Sequence, residues 1–198
     1  LLLDLARFGA SEIDDPLVLL NPGPEGRSPV FLFPPGTGDA LSFVQLAHEL
    51  ADYAVYGFNF ITAASRLRDY ADLIESTQPE GALVLGGYSA GGNLSYHVAA
   101  ELERRGRTVA AIFMIDSAQV VRAIVFPPDE SRQVAAAFLD HPSIQPYLSN
   151  PLLRDKAARI ITAYYDHMSR TLDQHQVAAN IHGIVCDEST DFHDEAGH

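Results

Sequence analysis

Residues 82–92, Ala-Leu-Val-Leu-Gly-Gly-Tyr-Ser-Ala-Gly-Gly, restrict the folds open to this chain more than any other stretch. Leu83-Val84-Leu85 is an apolar run bounded by glycines, the pattern of a short, fully buried strand. It runs into Gly87-Tyr88-Ser89-Ala90-Gly91, a G-x-S-x-G elbow. Downstream, Leu94, Val98 and Leu102 recur at helical spacing, and Gly106 closes the pattern. So tight a turn from strand to helix holds the serine in a strained conformation. Side chains two positions to either side would collide, which explains Gly87 and Gly91. The same strain lifts the Ser89 hydroxyl clear of the sheet and aims the first N–H groups of the helix at whatever it attacks. Five residues alone occur by chance; the flanking strand and helix separate this elbow from a glycine-rich turn with an incidental serine.

The remaining order of elements fits around that unit. Asn21-Pro22-Gly23-Pro24-Glu25-Gly26 is turn-rich and reads as an incoming linker or an edge hairpin. Val30-Phe31-Leu32-Phe33 is a strand stopped by Pro34-Pro35-Gly36, and Leu41 to Ala51 has helical spacing. Tyr53 to Phe60 reads as strand, and Ser65 to Ser76 as an amphipathic helix. Val109 to Ile115 is a further strand, ending at Asp116. Alternating strands and helices predict an α/β fold, a mainly parallel sheet flanked by helices on both faces. Working residues of such sheets gather at the carboxyl ends of the strands, here Pro35-Gly36-Thr37, Ser89 and Asp116.

After Asp116 the pattern changes. Residues 118–178 hold helical stretches near 131–139 and 152–173, punctuated by Pro127-Pro128, His141-Pro142 and Asn150-Pro151, and strand character returns only at Ile181–Cys186. An all-helical insertion of this length reads as a lid over the site, because ordinary crossovers are much shorter. Val121, Ile124, Val125 and Phe126 would line an apolar chamber beneath it.

Several function classes are excluded by composition. A formal net charge of −13 argues against nucleic acid or an anionic membrane as partner, since both call for a positive surface. No apolar run is long enough to cross a bilayer, and no secretion signal stands at the start, which together point to a cytoplasmic location. Cys186 is the only cysteine, so no internal disulfide forms; it reads as a small apolar strand residue. Asp187, Glu188, Asp191, Asp194 and Glu195 crowd the last dozen residues with His193 and His198. Their spacing matches no familiar metal-ligand pattern, so this is read as a solvated acidic segment with no metal.

Phe33-Pro34-Pro35-Gly36, Val55-Tyr56-Gly57-Phe58, Arg66-Leu67-Arg68-Asp69-Tyr70, Gln78-Pro79-Glu80-Gly81, Gly87-Tyr88-Ser89-Ala90-Gly91-Gly92-Asn93-Leu94 and Met114-Ile115-Asp116-Ser117 form an ordered set. In order and spacing, over roughly residues 28–190, the chain resembles the thioesterase domains at the end of non-ribosomal peptide synthetases. The resemblance implies one α/β-hydrolase domain over 1–198 with a mobile helical lid at 118–178. It also implies Ser89 as nucleophile, Asp116 as the acid of a catalytic triad, and the N–H groups of Gly36 and Ala90 as oxyanion hole. Chemistry agrees with these roles. A serine hydroxyl is a poor nucleophile until an imidazole takes its proton, and a carboxylate fixes that imidazole's tautomer and charge.

In that family the catalytic histidine follows a helix and a further strand beyond the run matching Ile181–Cys186. Only twelve residues remain after Cys186, so the domain is expected to lack its C-terminal part, with the base beyond the sequence shown. His198 is the substitute candidate and His193 a lesser one; His48, His97, His141, His167, His175 and His182 read as surface or packing residues. The resemblance further implies that the domain binds no cofactor of its own. Its substrate, a peptidyl or depsipeptidyl thioester, would arrive on the phosphopantetheine of an adjacent peptidyl carrier domain. Ser89 would take the acyl chain, and water or a nucleophile of the chain itself would release it by hydrolysis or macrocyclisation. A stand-alone editing thioesterase and a non-catalytic carrier-binding module are the two alternatives.

Overall fold

A computed structural model describes residues 15–122, 129–140 and 151–185, with 151–153 described by their backbone alone. Cys186, His141, His193, His198 and the acidic cluster from Asp187 lie outside the described residues, as do Ile124, Val125 and Phe126.

Among the described residues six strands form one sheet: β1 (Leu17–Asn21), β2 (Val30–Phe33), β3 (Val55–Phe58), β4 (Leu83–Tyr88), β5 (Val109–Ile115) and β6 (Asn180–Ile184). Their order is β1-β3-β2-β4-β5-β6. All neighbours run parallel except β1, which is antiparallel to β3. The turn-rich stretch at 21–26 therefore follows an edge strand that lies against β3 and makes no hairpin with β2. The Asn21 side-chain amide donates to the carbonyls of Leu50 and Tyr53, and Gly23 takes φ 57° in the turn that follows.

Helices fill the connections. A single 3-10 turn (Ala40–Phe43) precedes α1 (Val44–Glu49), so the expected helix from 41 to 51 is shorter and begins tightly wound. Asp39 causes this: its carboxylate accepts from the Ser42 N–H and closes the turn. Next come α2 (Arg66–Thr77), α3 (Ala90–Arg104), α4 (Glu130–Leu139) and α5 (Pro151–Arg170). The segment between β5 and β6 contains only helix and coil among the described residues.

The sheet packs around β4. Its Leu83 and Leu85 are fully buried, as are Phe31, Phe33 and Phe58 on the neighbouring strands. Phe33, Phe58 and Tyr70 of α2 meet as an aromatic cluster with centroids 4.8–5.3 Å apart. Leu94, Val98 and Leu102 are buried as their spacing predicts, each contributing about 1.5–3 kcal/mol. Burial in α3 extends around its whole first half, from Ala90 to Ala99. Small residues there let β4 and β5 approach closely, α2 packs on the helix as well, and its Asn93 bonds to Ala118 and Asp173 of the segments after β5.

Candidate active site

Three strand ends converge because of register. Phe33 pairs with Gly87, and Tyr88 pairs with Ile115. The residues that follow these pairs, Pro34-Pro35-Gly36, Ser89 and Asp116, thus emerge side by side at the carboxyl edge of the sheet. Gly36, Ser89 with Ala90, and Asp116 thus stand at the ends of three neighbouring strands.

Ser89 has φ 53° and ψ −126°, a backbone region that costs a non-glycine residue about 1–3 kcal/mol. Surrounding contacts impose it. The Ser89 N–H donates to the Ile115 carbonyl at 2.8 Å, and the Ser89 carbonyl accepts from the Gly92 N–H at 3.0 Å. A Cβ at Gly87 would overlap the carbonyl group of Gly91, and one at Gly91 would overlap the Phe33 carbonyl oxygen. These are the collisions expected for side chains at either flank of the elbow, and each involves backbone that has nowhere to go. Among the described residues, Asp116 is the other non-glycine residue at positive φ, 50°. Its N–H donates to the Ile184 carbonyl at 2.7 Å, which pins the end of β5 to β6. Ser117 joins the two strand ends: its hydroxyl donates to the Ser89 carbonyl at 2.7 Å.

Ala90 opens α3, so its N–H is among those a helix start leaves without an intrahelical acceptor. Gly36 faces Tyr165 of α5; a Cβ there would lie 3.4 Å from the Tyr165 ring. Beside it, the Tyr164 hydroxyl is fully buried and donates to the Pro34 carbonyl at 2.7 Å. The Tyr164 ring stacks on Phe60 at 4.1 Å. Burial pushes the Tyr164 phenol well above its ordinary range, so it stays a neutral donor. Helix α5 therefore holds down the loop that carries Gly36.

Behind Ala90 lies a small cavity of about 10 Å³ bordered by His97, His167 and Thr171. His97 Nε2 pairs with Asp173 at 2.9 Å, and His167 Nδ1 meets both Arg66 and the Thr171 hydroxyl at 3.1 Å. Burial, then the charge of Arg66, then that of His97 lower the His167 pKa to about 4, so its imidazole is neutral at pH 7. His182 stacks on Phe113 at β6. These rings are thus engaged in packing and polar contacts of their own. Of the apolar residues expected to line a chamber, Val121 is 59% exposed.

Tyr164, Tyr165 and the partnership of Asp173 with Asn93 and His97 had no sequence-level signal. The adjacent tyrosines sit in an ordinary amphipathic helix, and Asp173 lies in coil.

The model of the thioesterase domain family matches residues 28–194 of this chain. A mycosubtilin synthase subunit of Bacillus subtilis is 31% identical over 188 residues, 91% of this chain and 7% of that protein. Surfactin synthase subunit 3 of Bacillus subtilis (strain 168) is 47% identical over 88 residues, 44% of this chain and 7% of that protein. Bacitracin synthase 3 of Bacillus licheniformis is 43% identical over 103 residues, 52% of this chain and 2% of that protein. The chain thus spans 7% or less of each of these relatives. Among solved structures, the thioesterase domain SrfTE, described as cyclising the lipopeptide antibiotic surfactin, superposes with a TM-score of 0.78 at 29% identity. That match covers 89% of this chain and 76% of the other.

Proposed function

Because the chain belongs to the thioesterase domain family, we propose that it releases a peptidyl chain from a non-ribosomal peptide synthetase. The observation that supports this most is the strained Ser89, held at a glycine-packed elbow beside the end of β5 that presents Asp116.

In this reading, the peptidyl thioester arrives on the phosphopantetheine arm of an adjacent carrier domain. Ser89 Oγ attacks the thioester carbonyl while an imidazole oriented by Asp116 takes the hydroxyl proton. His198 is the candidate for that base within this sequence and lies outside the described residues. The N–H groups of Gly36 and Ala90 bind the developing oxyanion; each such donor is typically worth about 3 kcal/mol in the transition state. Collapse of the tetrahedral intermediate breaks the C–S bond, and the imidazolium returns its proton to the leaving thiol. The resulting ester on Ser89 is then attacked by water, giving an acid, or by an amine or hydroxyl of the bound chain, giving a macrocycle. Helices α4 and α5 act as a lid that excludes water and folds the acyl chain back. Such a domain works within a cytoplasmic assembly line. Among the described residues no helix is long and apolar enough to cross a membrane.

A fluorophosphonate probe and a synthetic peptidyl thioester test the reading together. Labelling of Ser89 and thioester turnover, both lost in Ser89→Ala, are expected. A full-length wild-type protein, carrying the whole domain, that is neither labelled nor active would overturn it and leave a carrier-binding module.

A further inference from the structure

One buried carboxylate connects parts of the molecule that the proposed chemistry needs in register. Asp173 follows α5 on the way back to β6, and only 7% of it is exposed. Its Oδ2 accepts from the Asn93 side-chain amide at 2.7 Å and from the Val120 N–H at 2.6 Å. Its Oδ1 faces His97 Nε2 at 2.9 Å. Asn93 and His97 lie one turn apart on α3, four and eight residues beyond Ser89, and both are buried. The same Asn93 amide also donates to the Ala118 carbonyl at 2.8 Å. Residues 118 and 120 belong to the loop that begins at Asp116.

Burial alone would push the Asp173 carboxyl up, but the adjoining His97 ring and the hydrogen bonds from the Val120 N–H and the Asn93 amide outweigh it and hold the group below its usual range. The carboxylate is therefore a charged acceptor, and its bonds are of the strong, charge-assisted kind. A residue needed only to fill space here would be apolar, since isolated buried charge is costly. Instead every partner lies on the elbow helix or on the loop after the acid.

We propose that Asp173 is a positioning residue: acting through Asn93 and Val120, it fixes the loop that carries Asp116 against the helix that carries Ser89. It does so from the segment that leads out of α5, so displacement of that segment loosens the acid relative to the nucleophile. This rests on the proposed roles of Ser89 and Asp116. A misplacement of about 1 Å in such a constellation costs on the order of a hundredfold in rate.

The test compares wild type with Asp173→Asn, which keeps size and shape, using peptidyl thioester turnover and amide exchange at residues 116–120. The expected result is a drop in kcat of about tenfold or more, KM within about twofold of wild type, and faster exchange at Asp116 and Ser117. A purely structural role would lower the melting temperature and leave the kcat of the folded protein unchanged; that outcome overturns the proposal. Should Asp173→Asn not fold, Asn93→Leu severs the same link while leaving the His97 pair, and it carries the same expectations. Wild-type protein without turnover would count against the functional reading alone. Exchange would then decide: faster exchange at 116–120 in the variant supports the link, and unchanged exchange overturns it.

Discussion

The two sides of the candidate site are held by different physics. On the sheet side, the elbow is fixed by backbone meeting backbone: Gly87 against Gly91, Gly91 against the Phe33 carbonyl, Ser89 bonded to Ile115. On the helical side, α5 packs on Phe60 through Tyr164, and it and the segment after it are tied in place by polar side chains spanning long sequence separations. Tyr164 reaches Pro34 across 130 residues, His167 reaches Arg66 across 101, and Asp173 reaches Asn93 across 80. The first arrangement tolerates almost no displacement, because overlap rises steeply. The second can open one bond at a time, which suits a cover that must admit a long acyl chain.

The largest effect should come from the nucleophile. Ser89→Ala is expected to reduce peptidyl thioester turnover by at least about a thousandfold and to abolish fluorophosphonate labelling, with the melting temperature little changed. Retained labelling in that variant would place the nucleophile elsewhere. The glycine contacts come next. Gly91→Ala forces a Cβ onto the Phe33 carbonyl and is expected to cost about 3 kcal/mol or more, read from the denaturant midpoint. Gly106→Ala is the control. It sits at positive φ, 83°, but its Cβ would meet nothing within 4 Å, so only the backbone penalty of about 1–2 kcal/mol applies. Equal losses at the two positions would show that approach distance is not what holds the elbow.

The same contrast explains what the sequence disclosed. Close approach of backbone requires glycine at fixed offsets, so the elbow is written locally, and Leu83-Val84-Leu85 and Leu94, Val98 and Leu102 announce their elements by period. The strand ends bearing Gly36 and Asp116 follow from the alternation of elements. Side-chain bonds of the Tyr164 or Asp173 kind leave no periodic trace, since either residue would be equally at home on a surface. The antiparallel β1 was hidden for a related reason. Its pairing with β3 is set by tertiary contacts, whereas the turn at 21–26 reports only that the chain changes direction. The shorter α1 reflects the Asp39 turn, which competes with the helix for the first residues of its pattern.

Tyr164→Phe probes the helical side with a smaller change. The aromatic stack on Phe60 survives, while the Pro34 carbonyl loses its donor in a buried position. A stability loss of about 1–2 kcal/mol is expected from thermal or denaturant unfolding. If α5 holds the Gly36 loop, kcat should fall by more than the stability loss accounts for in folded protein. An unchanged kcat would confine Tyr164 to packing and weaken the idea that the cover and the oxyanion loop are joined.

His167 gives the mildest test, one of pH. Its folded pKa of about 4 lies below the ordinary 6.5 because burial and the neighbouring Arg66 and His97 disfavour the charged ring. Between those values the unfolded chain binds the additional proton, so stability is greatest above about pH 6.5 and declines as pH falls towards 4. Partial exposure to solvent screens the effect to on the order of 1 kcal/mol. His167→Gln retains an acceptor for Arg66 and cannot titrate, so it should flatten the pH dependence of the melting temperature within that window. Wild-type slope persisting in His167→Gln would assign the acid sensitivity to another group. A flattened slope, together with earlier loss of protection in α5 than in α3 on acidification, would show that the helical side gives way first.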